Sequence, residues 1–583
     1  MSTDIYSPPR PTSARRMAVG GLTAFILALN TVAAVGSSAV ALQPDEHGSR
    51  TSQWSYLFRD AYSTALGEAI QSLGPDDSIH LNTPGMHWVE EAGCAPDAPE
   101  SNLILCDLQD AHDRGAEIRI SVGAEIIAPD SSAYSQAAAE FLDDSDLNYR
   151  INGRHAKVAV IQYGTDGASR DAFIGSHNLT LHSLASGWST SGPASGAVAN
   201  EASLVYETRP GRSNPAVEAL VQRADEFLDQ IWNGTLEDET EPEPYRGPSP
   251  YLLLGQQFIH DLTRQIDAVR PSGTVDLVVY NLGLERDPDT TCGWVSDRLS
   301  CDALLVDALT RAADRGVSVR VMVDDRTFQA AINGADAVDA LVDSGVSVRL
   351  DPCSGSVGSL CGDLGSVTHM KQTIVDRRTA YIGSHNYYHG SDYTGLNGRG
   401  EATVRTSSPR VLHQAQNAFD TLWAEGRALP DPDSCTNHLA VGASITASST
   451  YNADTPADLA IDGTCADSSR WMSATDDDAP TLTIDLGEPH QIEQINVISG
   501  YGWPLESPGH VLVDFVIEAH TGDAWQTLAD ITDNERAETG WTGTITADKL
   551  RLTVSRGSRT APDIARVYEF AVHGTENSPT AGA

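Results

Sequence analysis

The chain has 583 residues, a formal net charge of −42 at neutral pH and a hydrophobic fraction of 40%. That apolar content excludes a disordered chain, and the length implies about two to four globular domains. The acidic balance speaks against a general nucleic-acid binder, which would show a basic stripe, and against steering toward anionic membrane surfaces.

Arg10, Arg15 and Arg16 precede an apolar run over 17–35, and Ala39-Val40-Ala41 offers small residues for cleavage. The run is broken by Gly20, Gly21 and Asn30, so a secretory signal peptide over 1–41 is a better reading than a membrane anchor. Eight cysteines fit export. Nearest-neighbour pairing joins Cys94 with Cys106, Cys292 with Cys301, Cys353 with Cys361, and Cys435 with Cys465, each pair pinning a loop within one domain. None has the Cys-x-x-Cys spacing of a zinc cluster. A secreted, extracellular location is expected.

Two segments repeat one pattern: Ala-His-Asp-Arg-Gly-Ala-Glu-Ile-Arg-Ile-Ser-Val at 111–122 and Ala-Ala-Asp-Arg-Gly-Val-Ser-Val-Arg-Val-Met-Val at 312–323. Each reads as a helix closed by glycine, at Gly115 and Gly316, then an alternating strand. The duplication predicts two similar α/β lobes, over 42–245 and 246–432, with the active site between them. The acidic, proline-containing stretch 236–244 reads as their connection.

Each half also carries one chemical motif. His155-Ala156-Lys157 is followed by Gly175-Ser176-His177-Asn178, and His369-Met370-Lys371 by Gly383-Ser384-His385-Asn386. The chain has only three lysines, and two of them stand here. On a strand, residues two apart share a face, so imidazole and ammonium project together. The runs 158–161 and 373–375 fit such strands, and 172–174 and 380–382 fit the strands that bring the asparagines alongside. Lysine and an asparagine amide suit phosphoryl oxygens. One imidazole can attack phosphorus while a second, protonated, serves the leaving alkoxide.

In both halves these motifs resemble the phospholipase D superfamily. The resemblance implies that His155 is the nucleophile and His369 the general acid/base. It implies that Lys157, Lys371, Asn178 and Asn386 hold the phosphoryl group, and that Glu201 and Glu401, beyond each Gly-Ser-x-Asn corner, orient the histidines. Asp376, five residues after Lys371, completes the second motif as a structural hydrogen-bond partner. Gln162 replaces it in the first, where an insertion over 163–170 lengthens the hairpin. No cofactor is expected for catalysis. Ser176, Ser384, Tyr387 and Trp188 are lower-ranked substrate contacts, with loops 183–200, 292–301 and 353–361 expected to decide the substrate. With both motifs on one chain, a monomer suffices.

After about Asp433 short β-rich runs take over, at 481–486, 492–498, 514–518 and 549–554, which predicts a β-sandwich over 433–576 and a disordered tail over 577–583. The stretches at 437–442, 460–463, 469–471, 484–487 and 567–574 resemble the discoidin or coagulation-factor-5/8 type C family, whose members include carbohydrate-binding modules. That resemblance implies a structural calcium on Asp462, Asp467 and Glu569, whose carboxylates suit a hard cation. It also points to Tyr501 and Trp503 as loop aromatics for a sugar or lipid surface. The expected protein is a secreted phosphodiesterase, acting on a phospholipid head group or a cell-envelope phosphodiester through a phosphohistidine and held to a glycan surface by its last domain. A catalytically degenerate phosphate- or glycan-binding protein and an extracellular nuclease are the alternatives, the latter disfavoured because no nucleic-acid partner is expected.

Overall fold

The computed structural model describes residues 54–58, 61–128, 131–180, 184, 188–189, 192–193, 201–211, 214–236, 249–284, 301–324, 334–351, 368–389, 396, 400–428, 435–464, 469–500, 511–522, 524–534, 536–559 and 561–575. The expected signal peptide, most of the connection over 236–244, the tail, and Cys292, Cys353, Cys361, Cys465, Asp467, Tyr501 and Trp503 lie outside them.

The first sheet has seven strands, in the order Trp54–Phe58, Ala202–Thr208, Ser169–Gly175, Lys157–Tyr163, Ser78–Thr83, Glu117–Val122 and Asn148–Ile151. The second runs Tyr251–Leu254, Ala402–Thr406, Thr379–Gly383, Gln372–Val375, Thr274–Val279, Ser318–Val323, Ser347–Leu350 and Arg427–Ala428. The first seven strands of each follow one topology. Three strands run parallel on one side, and the strand that each His-x-Lys pair leads into is the innermost of an antiparallel group, next to the first of those three. The repeated segments do what their pattern predicts. Helix Glu100–Asp113 ends before Gly115 at φ 99°, and Cys301–Asp314 before Gly316 at φ 84°. Ala116 N donates to Ala111 O, and Val317 N to Ala312 O, each at 3.0 Å, closing both helices the same way.

One buried apolar cluster draws on both sheets, setting Val158, Val160, Ile174 and Leu204 with Ile374, Ile382, Val404 and Phe419. Across it the Tyr56 hydroxyl donates to Gln372 Oε1 at 2.8 Å, and Ala156 N to Gly400 O at 2.7 Å.

The last region is all β. A six-stranded antiparallel sheet is built on the long strands Thr481–Ile498 and Glu538–Arg556, and a two-stranded sheet pairs Trp471–Met472 with Arg566–Val567. Trp471, Leu482, Phe515 and Phe570 fill its core. Cys94 and Cys106 form a disulfide, and Cys301 and Cys435 each belong to a disulfide of their own. Among the described residues no helix is long and apolar enough to cross a membrane.

Candidate functional site

His155 and Lys157 enter the strand Lys157–Tyr163, and His369 and Lys371 immediately precede Gln372–Val375. In both cases the segment ahead of the histidine is pinned by a polar side chain. Asn82 Oδ1 accepts from Arg154 N at 2.9 Å while its Nδ2 donates to Ala156 O at 2.5 Å. Asp324 Oδ2 accepts from Thr368 N at 3.0 Å. Neither residue stood out in the sequence, because each precedes its motif by more than forty residues and neither lies in a recognisable pattern.

The pairing of histidine with carboxylate is crossed between the sheets. His155 Nδ1 donates to Glu401 Oε1 at 2.7 Å, and His369 Nδ1 to Glu201 Oε1 at 2.7 Å. Both carboxylates are fully buried, whereas the imidazoles keep 14% and 12% of their surface. The sequence showed that the glutamates follow the Gly-Ser-x-Asn corners but not which histidine each would meet. With Nδ1 committed, Nε2 of each ring is the nitrogen left for chemistry.

Ser176 and Ser384 are buried, which corrects their expected role as substrate contacts. Each hydroxyl accepts from the backbone N–H of the residue after its glutamate, Ala202 or Ala402, at 3.0 Å. Ser384 also donates to Glu401 Oε2 at 2.5 Å, so it acts through the carboxylate. Tyr387 is likewise a core residue. It is 1% exposed, its hydroxyl bonds Thr373 Oγ1 at 2.7 Å, and burial raises its pKa. Trp188 sits on a two-residue strand paired with Gly192–Pro193, and its side chain lies outside the described residues. The buried Oδ1 atoms of Asn178 and Asn386 have no hydrogen-bond partner among the described residues. The third residues of the corners, His177 and His385, are buried and bond Ser203 Oγ and Thr403 Oγ1 at 2.8 and 2.7 Å.

Asp376 is not brought to the site. It occupies the turn after Gln372–Val375 at φ 51°, paired with Arg378 at 3.1 Å, about 16 Å along the chain from Lys371 at the rise of a strand. Gln162 lies at the corresponding far end of its strand and donates to Gly164 O at 3.3 Å. The exchange of aspartate for glutamine therefore leaves the paired histidines untouched.

The lysines differ. Lys157 Nζ lies 3.2 Å from His155 Nε2 and 2.5 Å from His155 O. Lys371 Nζ donates to His369 O at 2.5 Å and stands 4.7 Å from the centroid of the Tyr280 ring, which meets His369 edge-on at 4.6 Å. Tyr280 is a site residue that lies outside both motifs. Burial pushes the His155 imidazole down, Lys157 adds to this, and Glu401 opposes it. Burial alone would raise Glu401, but His155, His385 and Lys157 hold its carboxyl below the usual range. Burial also pushes Lys371 well below an ordinary lysine, with Lys157 adding and Glu201, Glu401 and Asp324 opposing.

In the β region, Glu569 Oε1 accepts from His438 Nε2 at 2.9 Å and Oε2 from Gly463 N at 3.2 Å. Burial, reinforced by Asp462, pushes Glu569 up to about 9. Two repelling carboxylates suit a hard cation in part, but the imidazole nitrogen beside one of them does not. Among the described residues no group of three histidine, cysteine, aspartate or glutamate side chains is placed for a metal ion.

Residues 293–423 match the model of the family described as cardiolipin synthase, PLD-like domain, and residues 444–570 match that of the F5/8 type C domain. Among solved structures, a chitosan-binding module of a chitosanase/glucanase from Paenibacillus sp. IK-5 is 23% identical at a TM-score of 0.20, covering 24% of this chain and 99% of the module. The family 32 carbohydrate-binding module of C. perfringens NanJ, in complex with galactose, is 20% identical at 0.19, over 22% and 91%. Nuc, a phospholipase D family member from Salmonella typhimurium, is 19% identical at 0.23, over 31% and 100%. No curated protein matches the chain.

Proposed function

We propose that this chain, with its PLD-like domain at 293–423 and F5/8 type C domain at 444–570, is a secreted phosphodiesterase whose active site lies between two similar α/β lobes. The observation that carries the reading is the crossed pair of buried glutamates holding two histidines with Nε2 unconstrained by them. His155 Nε2 attacks phosphorus, the bond from phosphorus to the leaving oxygen breaks, and His369 gives its Nε2 proton to that oxygen. Water then attacks the phosphohistidine, His369 takes the water's proton, and the N–P bond breaks. Lys157 supports this order: an ammonium 3.2 Å from His155 Nε2 points its proton at a lone pair, the form a nucleophile needs. Lys157, Lys371, Asn178 and Asn386 stabilise the oxygens that gain charge. An alcohol can take the place of water and turn hydrolysis into transfer.

The substrate class is a phospholipid head group or a cell-envelope phosphodiester, and the last domain holds the enzyme to a glycan surface. A calcium on Asp462, Asp467 and Glu569 would be structural there and take no part in the chemistry. The degenerate-binder reading rests on Gln162, and the remote position of that residue weighs against it.

Product release from phosphatidylcholine, phosphatidylethanolamine and a teichoic-acid-like polymer, with and without chelator and beside His155→Ala, tests the reading. Turnover that resists chelator and vanishes in the variant supports it. No turnover on any substrate, with glycan binding intact, moves the protein to the binding class.

A further inference from the structure

The two His-x-Lys pairs have identical spacing but different geometry. In the first, Lys157 Nζ approaches His155 Nε2 to 3.2 Å. In the second, Lys371 makes no such bond to His369 Nε2 among the described residues, and its ammonium rests on an aromatic face. That face belongs to Tyr280, the residue after strand Thr274–Val279, which pairs antiparallel with the strand following Lys371 through Val278↔Gln372. The corresponding position after Ser78–Thr83 is Pro84, which offers no ring.

We propose that Tyr280 is a positioning residue that makes the two half-sites unequal, its ring drawing the Lys371 ammonium away from His369 Nε2 so that this nitrogen keeps its proton for the leaving group. The inference deepens the phosphodiesterase reading and rests on it. A cation is attracted to the face of an aromatic ring, more strongly where water is excluded, and Lys371 is 2% exposed. The same ring meets His369 at 67°, so a single side chain fixes both members of the pair. Lys371 is faced by Glu201, Glu401 and Asp324, which favour its charge, and by Lys157 and the two motif histidines, which oppose it once protonated.

The chain's lysine count makes a direct test possible. With only Lys157, Lys371 and Lys549, full-length protein labelled isotopically at lysine Cε gives three signals to follow through a pH titration. Loss of the π-face in Tyr280→Leu is expected to move the Lys371 midpoint down by about 0.5–1 pH unit, while Lys549 stays put as the control for folding. With phosphatidylcholine as probe, whose choline alkoxide needs that proton to leave, kcat falls about tenfold or more, and the alkaline limb of the rate profile moves with Lys371. Tyr280→Phe, which keeps the ring, restores both. An unmoved Lys371 midpoint in Tyr280→Leu overturns the proposal, as does a phenylalanine variant as impaired as the leucine one. If the wild type cleaves no phosphodiester, the functional reading fails, and the lysine titration still judges Tyr280.

Discussion

At the scale of single residues the site is a division of labour among groups of one type. Two imidazoles have the same spacing to a lysine and each has its own carboxylate partner, yet their lysines sit differently, and the two rings are assigned opposite tasks. His155→Ala and His369→Ala are each expected to lower turnover by about 10⁴-fold or more, and trapping of an acid-labile, alkali-stable labelled phosphoryl group on the protein should fail in the first. Glu401→Gln keeps the shape but removes the charge that fixes the His155 tautomer, so a loss of about 10³–10⁴-fold is expected in kcat with little change in KM. The pH profile follows from the shifts. His155 must be neutral and its pKa is lowered below 6.5, so the acid limb should fall below that value. Lys371 must be charged and its pKa is lowered below 10.5, so activity should be lost on the alkaline side earlier than an ordinary lysine would dictate. A rate profile that is flat through both regions would contradict the assignment. The histidines, lysines and asparagines were legible in the sequence because His-x-Lys and Gly-Ser-His-Asn are short and repeated, and the glutamates were pointed to by the family resemblance. Tyr280, Asn82 and Asp324 were not, since they reach the site through strand pairing across long separations.

At the scale of elements, the corners after the second motif strands decide whether the glutamates can approach. A Cβ on Gly175 would stand 1.9 Å from Ser203 Oγ and 2.5 Å from Ala202 O, and one on Gly383 2.2 Å from Thr403 Oγ1 and 2.4 Å from Ala402 O. The strands carrying Ser203 and Thr403 would be forced away, taking Glu201 or Glu401 with them. Gly175→Ala and Gly383→Ala are therefore expected to cost about 1–3 kcal/mol in thermal or denaturant unfolding and to depress turnover far more than that figure suggests. Helix-plus-strand units could be read directly, as at Gly115 and Gly316, because a glycine stop and alternation are local signals. Side-chain destination was harder. Tyr387 and the corner serines looked like pocket residues from their place beside Asn386 and Asn178, and packing sent them inward.

At the scale of the whole molecule, the β region should respond to pH independently of catalysis. Glu569 has its pKa raised from 4.5 to about 9, so the protonated form contributes stability that is complete below the ordinary value and lost as pH rises through the folded one. Its melting transition should fall steadily across that interval, and Glu569→Gln should flatten the trend. Calcium that binds there should do the same for the native chain, with a chelator reversing the gain and leaving phosphodiester turnover intact. The crossed His–Glu pairs carry a different consequence. A chain in which one sheet has formed and the other has not possesses a histidine but lacks the carboxylate that orients it, whichever sheet forms first. Reactivity is thus withheld from every partly folded species and arrives in a single step when the halves dock, so the appearance of activity during refolding should report the docking event itself, lagging any signal from either sheet alone.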